Sequence, residues 1–131
     1  MSTVEEVIAQ AYAHDTEGRE REAVRYYDQA FAMGVPEAMR KRFLVGYGST
    51  LRNVGRTDDA VGVLSQAVVD YPDFPALRAF LSLALLDAGH AKAAVAAMLG
   101  VALDTARDGV FEGYERALTE YHHVLLDEVA S

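Results

Sequence analysis

The sequence predicts an all-α protein built as a stack of helical hairpins, and three observations carry that prediction. Apolar residues recur at three- and four-residue spacing from Val4 to Val129, with no strand-type alternation of useful length. Turn glycines stand at Gly18, Gly55 and Gly89, at intervals of 37 and 34 residues. Small residues keep fixed offsets from them: Ala23, Ala60 and Ala94 follow by five, and Ala11, Gly48 and Ser82 precede by seven. A bulky residue, Tyr27, Leu64 or Met98, then follows each alanine by four. Stacked hairpins need such a lattice, with small side chains where helices cross and large ones filling the gaps.

The elements follow in order. Thr3 caps a first helix and Glu6 returns as its capping-box acid; Val4, Val7, Ile8 and Ala11 form its apolar stripe, and it ends between Asp15 and Gly18. A second helix starts near Arg19 and buries Ala23, Tyr26 or Tyr27, Ala30 and Phe31, with Gly34 closing it. Pro36 suits the first turn of a third helix that runs to Val54 and buries Met39, Phe43, Leu44, Tyr47 and Leu51. Gly48 lies on that same side. A mid-helix glycine costs about 1 kcal/mol relative to alanine, so it marks a close approach by a neighbour. Gly55 closes the turn. Thr57 is the expected cap of helix four, which runs to Tyr71, turns Ala60, Val63, Leu64, Ala67 and Val68 inward, and stops at Pro72.

Asp73 is the expected cap of helix five, with Pro75 in its first turn and Leu77, Phe80, Leu81 and Leu85 as its stripe; Gly89 ends it. Helix six, Ala91 to about Ala106, is rich in alanine, with Met98, Leu99, Val101 and Leu103 for bulk, so it is expected deep in the stack. After Asp108-Gly109, helix seven spans about 110–129, with Phe111, Tyr114, Leu118, Tyr121, Leu125 and Val129 forming one strong stripe. The expected organisation is one domain over 1–131, with hairpins at about 3–34, 36–71 and 74–106 and a C-terminal capping helix.

Composition narrows the function. At 131 residues and 51% hydrophobic content the chain can build a core, and a 24% charged fraction with three prolines argues against disorder. The absence of cysteine removes disulfides, thiolate metal sites and cysteine nucleophiles. A formal charge of −8 works against nucleic acid, since phosphate binding is driven by lysine and arginine. The acids Glu5, Glu6, Asp15 and Glu17 near the start suit neither a signal nor a transit peptide. No run approaches the roughly 20 apolar residues of a membrane span, so no membrane partner is expected and the location read is cytoplasmic.

Along Leu44, Tyr47, Gly48, Leu51, Gly55, Ala60, Leu64, Ala67 and Pro72 the chain resembles the tetratricopeptide repeat, whose period is 34 residues, in its small, stand-alone, bacterial type. The flanking copies depart from the pattern: Gln10 and His14 replace large apolar residues in the first, Arg78 takes an aromatic position in the third, and Ala106 replaces its closing proline. The resemblance implies a right-handed superhelix whose concave face is lined by the first helix of each pair. It maps that face to Glu5, Ile8, Tyr12 and Asp15, then Arg42, Val45, Ser49 and Arg52, then Ala79, Leu83, Leu86 and Asp87. The Lys, Asn and Arg clamp of chaperone-binding members is missing, because Ile8, Tyr12, Ser49, Ala79 and Leu83 stand at its positions. If exposed, Ile8, Tyr12, Val45, Leu83 and Leu86 form an apolar patch of the kind that marks an interface.

Chemistry finds little support. His122 and His123 are adjacent, so on a helix they point about 100° apart and cannot share one ion. Glu120 and His123 have the Glu-x-x-His spacing of carboxylate-bridged metal bundles, but those sites need two such motifs and two further glutamates. His14-Asp15 lacks a nucleophile, and Gly46 and Gly48 lie inside a helix instead of a phosphate loop. No enzyme, cofactor or metal is therefore expected. The reading is a protein-binding scaffold, self-associating as a homodimer through its apolar face or C-terminal helix. The alternative is an adaptor that binds an acidic segment through Arg42, Arg52 and Arg56, and the remote one is a metal-binding or enzymatic protein.

Overall fold

A computed structural model describes residues 2–131 and contains seven α-helices among them: α1 (Val4–Thr16), α2 (Glu20–Met33), α3 (Glu37–Asn53), α4 (Thr57–Asp70), α5 (Pro75–Asp87), α6 (Ala91–Thr105) and α7 (Glu115–Ala130). They pair as hairpins α1–α2, α3–α4 and α5–α6. The first helices of the pairs form a row, α1 beside α3 and α3 beside α5, while among the described residues α7 touches α6 alone. No described helix is long and apolar enough to cross a membrane.

The three hairpin turns have one construction. Gly18, Gly55 and Gly89 have φ of 75°, 86° and 87°, a region open to glycine at little cost. The residue after each glycine then donates its N–H to the carbonyl five residues back, Arg19 to His14, Arg56 to Leu51 and His90 to Leu85, each at 2.9 Å. That is the bond of a Schellman cap, and it satisfies a carbonyl the helix end leaves open. The first helix starts at the cap its sequence indicates, with the Thr3 hydroxyl accepting the Glu6 N–H at 3.2 Å, but the Glu6 carboxylate meets the Thr3 hydroxyl at 3.3 Å instead of returning to its backbone N–H. Later starts differ from expectation. Pro36, Arg56 and Phe74 take the cap positions of α3, α4 and α5, so Pro36 lies just outside its helix and neither Thr57 nor Asp73 caps one.

The core sits between the first two hairpins and reaches into α5. Tyr27, Phe43, Ile8, Leu44, Leu51, Leu64 and Leu77 are its large, fully enclosed side chains. Gly48 is where α3 and α4 meet: a methyl group there would stand 2.5 Å from Leu64 Cγ. Carbon atoms need about 3.5–4.0 Å, so only glycine allows this crossing. Gly46 serves the crossing of α3 with α2 in the same way, because the Tyr27 ring occupies the space a side chain would take.

Buried phenols tie the first three helices together. The Tyr27 hydroxyl donates to Asp15 at 2.7 Å and the Tyr47 hydroxyl to Asp28 at 2.5 Å. Burial first, and then the bond to the carboxylate, holds both phenols well above their ordinary ionisation range. Unfolded tyrosines ionise near pH 10 while these stay protonated in the fold. Their contribution is therefore complete below pH 10 and is lost as pH rises beyond it, at about 1.4 kcal/mol per pH unit for each phenol. Urea titrations at pH 9 and pH 11 check this. Stability should drop at the higher pH, and Tyr27→Phe should lessen the drop; an unchanged drop in that variant contradicts the assignment.

The C-terminal third departs most from expectation. Helix seven starts at Glu115 instead of Val110, because residues 108–113 form turns around Gly109 and Gly113, and Glu112 takes φ of 50°. It buries no residue fully. Of its expected stripe, Phe111, Leu118 and Leu125 are half-buried, while Tyr114 and Tyr121 are 70% and 66% exposed and Val129 is also exposed. Nor does α6 lie deep: its neighbours are α5 and α7 only, and Met98 and Val95 remain exposed. Its alanines permit close approach on several sides, but the fold supplies helices on two. Phe31 and Met39, expected inside, are exposed and half-buried at the edge of the core.

Candidate functional site

Three surfaces carry chemistry, and the first is the row of α1, α3 and α5. Ile8 is only 1% exposed, which corrects its place on an open face: α1 has few bulky apolar residues, and its seam with α2 and α3 takes this one. Tyr12 is half-buried, its ring centroid 6.1 Å from that of Tyr27, and burial raises its phenol against the opposing pull of Arg42. Asp15 is held by Tyr27, with the Thr50 hydroxyl 3.5 Å away. Val45, Ser49, Ala79 and Leu83 are half-buried; Glu5, Arg42, Leu86 and Asp87 are exposed. The large apolar patch thus contracts to Leu86 at one end.

The basic residues separate as well. Arg52 binds Asp87 at 2.7 Å, joining the second hairpin to the third. Arg56 binds Asp28 at 2.7 Å and Asp59 at 2.9 Å, bonds that raise its already high ionisation range. Lys41 and Arg40 lie over aromatic rings, 4.9 Å from Phe74 and 5.8 Å from Phe31. Arg42 forms no ion pair among the described residues. Of the three arginines expected to hold an acidic segment, two are already neutralised within the chain.

The second surface is the α6–α7 face. Gly100 brings these helices together: a methyl group there would lie 3.1 Å from His122 Nε2 and 3.5 Å from Arg78 Nη1. Arg78 binds Asp104 at 2.7 Å and links α5 to α6, while its Nε is buried without a hydrogen-bond partner among the described residues. Leu118, His122 and Leu125 form the α7 side of the seam, and Lys92 anchors its far end through Glu128 at 3.1 Å. A polar cleft of about 580 Å³ lies beside the seam, with Asp104, Arg107, Glu115, His122 and His123 in its walls. No three His, Asp or Glu side chains converge as metal ligands among the described residues. On the outer flank, Tyr114, Tyr121 and Val124 stand at seven- and three-residue steps, all at least half exposed.

The third surface is a groove of about 430 Å³ between α2 and α4, floored by α3. Phe31, Leu44, Tyr47 and Val63 supply its apolar surface, and Asp58, Asp59 and Asp70 its rim. The repeat register did not indicate it, because its walls belong to different hairpins. Gly62 was the available signal, a mid-helix glycine outside the small-residue lattice.

A family model described as tetratrico peptide repeat matches residues 5–125, nearly the whole chain. The chain belongs to the tetratricopeptide repeat family. Such repeats bind proteins or peptides. None of the curated proteins matches, and no solved structure matches.

Within this repeat protein the departures noted in the sequence acquire physical content. Arg78, at the aromatic position of the third repeat, exchanges ring packing for the ion pair with Asp104. Ser82, at the small-residue position, is buried and donates its hydroxyl to the Ala94 carbonyl at 2.8 Å, pinning the third hairpin where the second uses Gly48. His14, in the first repeat, stacks on Tyr26 with centroids 5.3 Å apart.

Proposed function

We propose that this tetratricopeptide repeat protein is a non-enzymatic interaction scaffold that pairs with a second copy of itself through the outer flank of α7 and adjoining α6. The observation that carries this reading is that α7 has one neighbour for an apolar arc wide enough for two. Its seam residues Leu118 and Leu125 meet α6, while Tyr114, Tyr121 and Val124 stay exposed beside them. Repeat arrays need their ends covered, and twofold pairing is the commonest closed arrangement. Aromatic residues on such a flank are the usual energetic centres of an interface. The row face is a weaker candidate, since Ile8 lies inside and Leu86 alone is both large and exposed there. An acidic partner segment is disfavoured, because it would have to displace Asp87 from Arg52 and Asp28 and Asp59 from Arg56.

The double variant Tyr121→Asp/Val124→Asp tests this reading. Both positions are exposed, so the helical circular dichroism should be retained while the sedimenting mass falls to that of one chain. Equal masses for the variant and the parent at every concentration would place any pairing elsewhere.

A further inference from the structure

We propose that the groove between α2 and α4 is a second docking site, which takes an extended basic peptide carrying an apolar side chain between two cations. Four glycines lie within the helices, Gly46, Gly48, Gly62 and Gly100, and three of them have a reason inside the chain. A methyl group would meet Leu64 at Gly48, Tyr27 at Gly46 and His122 at Gly100. Gly62 is the exception. Nothing lies within 4 Å of the space its side chain would fill, its helix loses stability by lacking one, and that space opens into the groove. A glycine that the chain's own packing does not require fits a surface that a foreign backbone approaches closely.

Charge decides what occupies it. The rim carries Asp58, Asp59 and Asp70 against one cation in the lining, Arg40, which rests on the Phe31 ring. Asp59 is engaged by Arg56, but among the described residues Asp58 forms no ion pair and Asp70 accepts only the Gln66 amide at 3.0 Å. The open carboxylates therefore stand at the two ends of α4, with the apolar floor between them. Twelve residues of helix place them about 18 Å apart along the axis. An extended chain covers that with about five residues at roughly 3.3 Å each. The fitting partner thus has lysine or arginine five residues apart and a leucine-like side chain between, seated on Leu44 and Val63 beside Gly62. This site is separate from the self-association flank, which lies on α7 and shares no residue with it.

The test is two-dimensional amide NMR of the full chain, titrated with an acetylated, amidated hexapeptide with lysine at each end, leucine at the third position and serine elsewhere. Shifts should concentrate on Phe31, Gly62, Val63 and Gln66, and should weaken as salt screens the pairing. A peptide with glutamate in place of lysine should not bind. Gly62→Trp fills the vacant space and should weaken binding about tenfold or more, a loss of one step or greater on the affinity scale. Asp58→Asn/Asp70→Asn should weaken it about tenfold while leaving the groove open, through loss of the steering charges. The proposal is overturned if the lysine peptide leaves these amides unmoved at millimolar concentration, if the glutamate peptide binds equally, or if both variants bind like the parent. Movement of the same amides on dilution without peptide would also overturn it, by assigning the groove to a second copy of the chain. The mass of each variant, read in parallel, keeps this outcome separate from that of the α7 pairing.

Discussion

Gly48→Ala is expected to destabilise the fold by about 2–3 kcal/mol, although alanine is the better helix former by about 1 kcal/mol. The added carbon would stand 2.5 Å from Leu64 Cγ and 2.9 Å from Cδ1. Leu64 is fully enclosed and cannot swing aside, so α3 and α4 must separate. Gly62→Ala, one helix away in open space, should instead stabilise by about 1 kcal/mol. Urea denaturation of the two single variants gives opposite signs on this account. A cycle with Leu64→Ala adds a sharper check, because that substitution alone costs about 2–5 kcal/mol yet makes room for the new methyl. The double variant should lose clearly less than the sum of the singles. Additive losses would mean that Gly48 is not the point of contact.

Tyr27→Ala has the other large expected effect, about 3–5 kcal/mol, in the range of large aromatic truncations in cores. The ring is 1% exposed and lies with centroids 6.1 Å from Tyr12, 5.4 Å from Phe43 and 5.8 Å from Tyr47. It is the piece that all of the first three helices share, since its hydroxyl also satisfies Asp15 on α1. Tyr27→Phe keeps the ring and removes only that bond to a carboxylate, so it should cost about 1.5–3 kcal/mol. Tyr121→Ala offers the contrast: a tyrosine two-thirds exposed should change the stability of one chain by less than about 0.5 kcal/mol. Thermal melts of the three variants rank them. A Tyr121→Ala melt in dilute solution as depressed as that of Tyr27→Ala would contradict the placement of the core.

Much of the fold was legible because it rests on local rules. Gly18, Gly55 and Gly89 mark their turns through backbone geometry that few other residues tolerate, and Gly48 and Ala60 mark the crossing their small size permits. What escaped depends on which neighbour exists. The alanines of α6 say that helices can come close, not that they do, and only α5 and α7 arrive. The stripe of helix seven runs back in sequence to Phe111, but Gly109 and Gly113 break the chain between, so the helix begins later. Ile8 was mapped onto an open face by its repeat position, yet the end helix of the row has few bulky residues with which to fill its seam. Ion pairs such as Arg52 with Asp87 and Arg56 with Asp28 join residues 35 and 28 positions apart on different hairpins, a partnership no local pattern announces.

On the proposed pairing, α1 to α5 form a tightly nested array while α7 is short of one partner, which a second chain provides. Hydrogen exchange of the backbone amides, followed across a hundredfold range of protein concentration, addresses both halves together. Amides of α3 and α4 should exchange slowly at every concentration, and those of α7 quickly when dilute and progressively more slowly as chains pair. Amides of α7 that exchange at one rate throughout, or as slowly as α3 in dilute solution, would contradict it.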